Sequence, residues 1–242
     1  MSERILGVLG GMGPLAGAQF MLRLTLLTPA ARDADHIPAV LWSDPRVPDR
    51  TRGRGVPGGV PGGAPEADPL PWLLRGIAGL AAAGCGAIAV ACNTAHEWYP
   101  EMEAAAPGPV LHIVDATMET MVRAGIPPGP VGLMGTAATL RMRLYQDRLE
   151  PRGWDCLIPP PEEMDRLVTP AIALVKANRP ADAFAPLAEA ARGLTRRGAR
   201  AVVLGCTEIP LAMAAGPAAE IGVPLVDSID ALALAAIAWA RG

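Results

Sequence analysis

Short apolar runs alternate with longer Ala- and Leu-rich stretches along the chain, and that alternation confines it to one kind of architecture. The runs at 5–9, 39–42, 87–91, 110–113, 131–134, 201–204 and 224–226 read as strands. The stretches at 17–27, 71–83, 94–104, 116–124, 140–149, 161–177, 181–197 and 229–240 read as the helices between them. Strands that lack a polar face and are each followed by a helix belong to parallel sheets covered on both sides. With 51% apolar residues but only 4% aromatic, the interior must be filled mainly by Ala, Val, Leu, Ile and Met.

The chain also repeats itself. Gly84-Cys85-Gly86-Ala87-Ile88-Ala89-Val90-Ala91-Cys92-Asn93-Thr94 aligns without a gap with Gly198-Ala199-Arg200-Ala201-Val202-Val203-Leu204-Gly205-Cys206-Thr207-Glu208. In both, a glycine precedes an apolar strand that ends at a cysteine. Upstream lie two further strands ending in small residues, Val8-Leu9-Gly10-Gly11 and Gly132-Leu133-Met134-Gly135-Thr136. The expected fold is therefore α/β, with two similar lobes, each a parallel-type sheet flanked by helices. Pseudo-twofold symmetry would relate them and set the site in the cleft between them. Residues 1–115 with 227–242 would form the first lobe and 116–226 the second. The run 52–71, rich in Gly and Pro, cannot hold regular structure and reads as either a surface loop or a mobile lid.

A net charge of -3 and the absence of any block of Lys or Arg remove the electrostatic basis for binding nucleic acid or an anionic membrane. A small ligand is the expected partner. No run is long enough for a membrane span, and the first apolar run is too short for a signal-peptide core, so a cytoplasmic protein is expected. The cysteines Cys85, Cys92, Cys156 and Cys206 form no C-x-x-C pair and are read as free thiols. Lys176 is the only lysine; every other basic residue is arginine, whose planar fork does not imitate a compact ammonium.

Three loops fall where a strand passes into a helix: Gly10-Gly11-Met12-Gly13-Pro14, Cys92-Asn93-Thr94-Ala95-His96-Glu97 and Cys206-Thr207-Glu208-Ile209-Pro210. In open α/β sheets ligands bind at this carboxyl edge. Pro14 suits a first helical turn, and Thr94 with Glu97 fits a capping box. Helix starts of this kind aim free N–H groups at a crevice and should favour thiolate at the adjacent cysteines. Gly11-Met12-Gly13-Pro14-Leu15-Ala16 also satisfies a dinucleotide fingerprint, a weak signal because the acid it needs is only loosely supplied by Asp44. Cys92 and His96 could share a helix face as a zinc pair or a thiolate–imidazole couple. Zinc would want further ligands that the sequence does not space correctly, and a histidine satisfied within its own turn is the plainer reading.

Taken singly, each strand-end cysteine reads as a small buried hydrophobe. As a matched pair on two facing lobes, the thiols would approach one ligand from opposite sides. Removing a proton from one face of a carbon and returning one to the other requires that geometry.

Val8-Leu9-Gly10-Gly11-Met12-Gly13-Pro14, Pro48-Asp49-Arg50-Thr51, Cys92-Asn93-Thr94-Ala95-His96 and Gly205-Cys206-Thr207-Glu208 together resemble the aspartate/glutamate racemase family, in order and across nearly the whole chain. The resemblance implies an isomerase that interconverts L and D forms of an acidic amino acid, aspartate first and glutamate next, without pyridoxal phosphate, metal or other cofactor. It implies that Cys92 and Cys206 are the acid/base pair and that Arg50 and Lys176 bind carboxylates. Gly11, Met12 and Gly13, with Asn93, Thr94, Thr136, Thr139, Thr207 and Glu208, would complete the substrate site. It also implies a homodimer. The chain departs from the family in carrying Thr136-Ala137-Ala138-Thr139 where Thr-Thr-Gly-Thr is common, and in its longer 52–71 run; both bear on specificity. Hydantoin racemisation, maleate isomerisation, arylmalonate decarboxylation and non-catalytic binding of an acidic metabolite are the alternatives.

Overall fold

A computed structural model describes residues 4–50 and 68–242, so Thr51 and nearly all of the 52–71 run, with its surface-loop and lid readings, lie outside the described residues. Strands β1 (Leu6–Gly10), β2 (Ala39–Ser43), β3 (Ala87–Val90) and β4 (Val110–Leu111) form one sheet in the order β2-β1-β3-β4. Strands β5 (Gly129–Gly135), β6 (Trp154–Leu157), β7 (Val202–Gly205) and β8 (Leu225–Asp227) form a second in the order β6-β5-β7-β8. Every pairing is parallel, with Leu6 opposite Ala39 and Ala87 in the first sheet and Gly135 opposite Gly205 in the second. The same strand order occurs twice, as the repeat predicts.

The helices are α1 (Pro14–Leu27), α2 (Leu70–Ala82), α3 (Tyr99–Ala105), α4 (Ile113–Arg123), α5 (Ala137–Arg141) and α6 (Gln146–Leu149). They continue with α7 (Pro161–Glu163), α8 (Thr169–Lys176), α9 (Pro180–Arg196), α10 (Ile209–Met213) and α11 (Ser228–Arg241). Helix α2 lays Leu73, Ile77 and Leu80, spaced as one helical face, against Leu9, Ile88 and Val90. On the opposite side Leu6 and Val8 join α1, α4 and the second sheet in a continuous core. Helix α11 follows the last strand of the second sheet yet packs on α1 and α4. Arg23 of α1 grips Asp230 of α11 through two bonds of 2.5 and 2.7 Å.

The central strands of each sheet are the ones that matter for function. Where strand order reverses, the loops leaving neighbouring strands part and open a crevice at the carboxyl edge. In the first sheet that point lies between β1 and β3, whose loops begin at Gly11 and Ala91; in the second it lies between β5 and β7, whose loops begin at Thr136 and Cys206.

Four local expectations are corrected. Strand β6 is absent from the sequence reading because this short edge strand is half exposed and carries Asp155. The helix expected over 140–149 is broken at Arg143, which adopts φ 56° and pairs with Asp147 and Glu150; α5 stops before it and α6 starts after Tyr145. The helix expected over 161–177 is interrupted by a π turn at Met164–Val168, just ahead of Pro170, which has no N–H to offer the preceding turn. The helix expected from Thr94 begins as a 3-10 turn, Thr94–Trp98, and the capping box does not form, because the Thr94 hydroxyl is drawn across to the other sheet. Among the described residues no helix is long and apolar enough to cross a membrane.

Candidate active site

Cys92 leaves β3 and Cys206 leaves β7, the equivalent strands of the two sheets, and both open on one narrow cavity. Its walls bring together Met12, Arg50, Cys92, Asn93, Thr94, Thr136, Lys176, Cys206, Thr207 and Glu208. Ten residues singled out from six separate segments of the sequence thus meet around one small space. Gly11 and Gly13 border the adjoining cleft of about 390 Å³, which also reaches Arg50, Lys176 and Glu208. Thr139 stands one layer back, where its hydroxyl joins those of Thr94 and Thr136 in a triangle with sides of 3.0–3.1 Å.

Gly11 is required by its backbone: φ is 91°, and a Cβ there would fall 2.4 Å from the backbone of Asp44. The next residues then turn the β1 loop into the cleft. The Gly13 N–H donates to Glu208 Oε1 at 3.2 Å, so the donor that a dinucleotide phosphate would need already faces a carboxylate from the other lobe. Asp44, the candidate ribose acid, is instead held by Arg46 at 2.8 and 2.9 Å, which keeps its carboxyl below the ordinary range.

Arg50 is 8% exposed. Its terminal nitrogens donate to the carbonyls of Val47, Pro48 and Met12 at 3.1, 2.8 and 3.0 Å, which orients the guanidinium without neutralising it. No carboxylate among the described residues pairs with it, and its buried Nε–H has no partner. A buried cation with an idle donor at a cavity wall is a site for an anion. Lys176, exposed at the end of α8, completes the mouth where the inner cavity and two outer clefts meet.

The two thiols are not alike. Cys206 Sγ donates to Glu208 Oε2 at 3.0 Å, and the Thr207 hydroxyl reaches the same oxygen at 3.3 Å. Burial, then the Glu208 charge, pushes the Cys206 thiol well above its ordinary value. The expectation that helix starts would favour thiolate at both cysteines is therefore corrected at Cys206: α10 is a bare turn and a half, and burial with an adjacent carboxylate outweighs it.

His96 does not touch the Cys92 thiol. Its Nδ1 bonds the Cys92 carbonyl at 2.9 Å while Nε2 accepts from the Ile113 N–H at 3.1 Å, so the ring is a strut between the cysteine loop and the start of α4. Burial lowers its pKa to about 4, and burial lowers that of neighbouring His112 to about 2. His112 caps α4 by accepting from the Val114 N–H at 3.2 Å. Both rings stay neutral in the fold, whereas an unfolded imidazole titrates near pH ~6.5. The unfolded chain therefore binds more protons below that pH, and stability present above it is lost on acidification. The slope should reach ~1.4 kcal/mol per pH unit for each histidine. Asp227, raised to about 6 by burial, acts in the opposite sense as pH falls through that value. Urea unfolding of His112→Asn, which retains a capping acceptor, should lose one histidine's share of the slope between about pH 6.5 and 4.5. An unchanged slope would mean that His112 titrates normally in the fold.

The sequence reading passed over two contributors. Tyr145, fully buried, donates its hydroxyl to Asn93 Oδ1 at 2.6 Å, and Ser228 accepts from Asn93 Nδ2 at 3.2 Å while donating to the Leu204 carbonyl at 2.8 Å. The Asn93 side chain is thus engaged by the fold at both ends. Tyr145 is one of only two tyrosines, the same rarity that drew attention to Lys176.

Comparison with known proteins bears on the fold and the family. Residues 9–236 match the family described as Asp/Glu/Hydantoin racemase. The aspartate racemase of Picrophilus torridus superposes with a TM-score of 0.82 at 30% identity, covering 98% of this chain and 94% of that one. A glutamate racemase from Thermus thermophilus, solved with β-chloro-D-alanine, gives 0.62 at 25% identity over 99% and 81% of the two chains. Among curated sequences, the broad specificity amino-acid racemase RacX of Bacillus subtilis is 26% identical over 157 residues, 63% of each chain.

Proposed function

The chain belongs to the Asp/Glu/Hydantoin racemase family, and on that premise we propose that it racemises an acidic α-amino acid, aspartate first and glutamate next, by proton transfer between Cys92 and Cys206. The observation that carries the proposal is the meeting of two thiols from equivalent strand ends on one cavity that also holds an unneutralised buried arginine. The charges on that cavity, Arg50 and Lys176 against Glu208, complement a molecule with two carboxylates and one ammonium.

In the proposed reaction Arg50 fixes one carboxylate and Lys176 the other, which presents Cα between the sulfurs. The thiolate of one cysteine takes the Cα proton, and the electron pair spreads into the adjacent carboxylate as an enediolate. The thiol of the other cysteine returns a proton to the opposite face. Product and substrate differ only in configuration, and the cysteines have exchanged thiol and thiolate. Because Glu208 and burial hold the proton on Cys206, the enantiomer whose hydrogen faces Cys92 meets a partner already protonated across the cleft. For the mirror enantiomer Cys206 must first lose its proton, and Glu208, 3.0 Å from the sulfur, is the group placed to accept it. Each unit of mismatch between the Cα acid and the accepting thiolate costs about 1.4 kcal/mol, so the enediolate charge must be stabilised as well. The Arg50 guanidinium and the N–H groups of the cysteine loops are suited to that task.

The test is a panel of L-aspartate, L-glutamate and hydantoins in heavy water, followed by optical rotation and by mass. L-Aspartate should yield D-aspartate carrying deuterium at Cα. Tight aspartate binding with no isotope exchange would exclude catalysis, and turnover of hydantoins alone would replace the substrate assignment.

A further inference from the structure

We infer that Tyr145 is a positioning residue that sets the gap between the two thiols, an inference that rests on the racemase reading above. Its hydroxyl is bonded to Asn93, the residue after Cys92, at 2.6 Å. Its ring edge lies under Gly205, the residue before Cys206: a Cβ on Gly205 would stand 3.0 Å from Tyr145 Cε2. One side chain therefore touches both cysteine loops, one through a polar contact and one through a steric one. The repeat carries the mark of this contact. The aligned position before Cys92 is Ala91, whereas the position before Cys206 is glycine, where a Cβ would crowd the ring together with the Leu133 side chain and the Met134 carbonyl.

The tyrosine is well suited to act as a fixed spacer. It follows the break at Arg143, which turns the chain inward, and it is fully buried. Burial keeps its phenol protonated far above neutral pH, so it remains a donor to Asn93 throughout the working range. On the far side of Asn93, Ser228 supplies the second hold and is itself tied to Leu204 of β7. The Cys92 loop is thus pinned to the second sheet from two directions.

A spacer of this kind controls how the reaction divides more than how the substrate binds. After one thiolate removes the proton, the carbanion either receives a proton from the opposite thiol and inverts, or takes one back from the first sulfur and is returned unchanged. Only the first outcome depends on both sulfurs being in reach, and a misplacement of about 1 Å can cost ~10²-fold in such a transfer. In heavy water the second outcome leaves deuterium in the starting enantiomer whenever the first thiol trades its proton with the solvent before giving one back.

The experiment compares wild type, Tyr145→Phe and Ser228→Ala in heavy water, following deuterium in recovered substrate and in product separately. For Tyr145→Phe we expect a KM for aspartate within ~2-fold of wild type, kcat lowered ~10-fold or more, and exchange-without-inversion raised at least ~5-fold relative to inversion. Ser228→Ala should move the same ratio in the same direction by less, and it keeps the test alive if the phenylalanine variant does not fold. A ratio unchanged in whichever variants fold would overturn the inference while leaving the racemase reading intact. A wild-type enzyme that exchanges no Cα proton would overturn both.

Discussion

Serine in place of either Cys92 or Cys206 should abolish racemisation, with a loss of ~10³-fold or more, because a hydroxyl is a far weaker acid and its conjugate base is almost absent at neutral pH. The two variants should fail differently. With Cys92 intact, the enantiomer whose hydrogen faces Cys92 can still lose and regain that hydrogen; with Cys206 intact, the mirror enantiomer can. Incubating each variant with L- and D-aspartate in heavy water should show exchange confined to one enantiomer, and to opposite ones in the two variants. The Cys92→Ser variant should be the weaker at this exchange, since its remaining sulfur is held protonated beside Glu208. A racemisation rate unaffected in either variant would remove that cysteine from the mechanism.

Arg50→Ala should lower kcat/KM for aspartate by ~10²-fold, the loss of one charge-assisted contact worth ~1.5–3 kcal/mol. The change also strands the carbonyls of Val47, Pro48 and Met12, so some loss of thermal stability is expected and must be measured alongside. Added guanidinium ion separates the two effects, since it can refill the carboxylate site without restoring the tether to the loop. Recovery of activity with little recovery of melting temperature is the expected pattern. Arg50→Lys should not rescue, because one ammonium cannot hold three carbonyls and still present a donor to a carboxylate. Should Arg50→Ala leave kcat/KM for aspartate unchanged, the buried guanidinium would have no part in binding substrate.

The architecture was legible because parallel sheets leave a strong imprint: unbroken apolar strands, and glycine where β1 and β5 end. The internal repeat then pointed to the two cysteine loops as a pair. What escaped the sequence reading depends on contacts between residues far apart in the chain. Nothing local marks Trp154–Leu157 as a strand, since an edge position tolerates Asp155 and half exposure. Thr94 and Glu97 have the spacing of a capping box, but the spacing carries no information about Thr136 and Thr139, which claim the threonine hydroxyl. Tyr145 lies in a stretch that reads as one helix, and only the turn at Arg143 sends it under Gly205. The protonation bias at Cys206 was misjudged for the same reason: the helix start is visible in sequence, whereas the seat of the Glu208 carboxylate is not.

Helix α11 has a mechanical consequence. The chain passes from one sheet to the other through α4, and at its far end α11 comes back to lie on α1 and α4, fastened by the Arg23–Asp230 grip. The halves are therefore tied together twice, once by the chain running through α4 and once by the return of α11, so the two cysteine loops are carried by one connected scaffold.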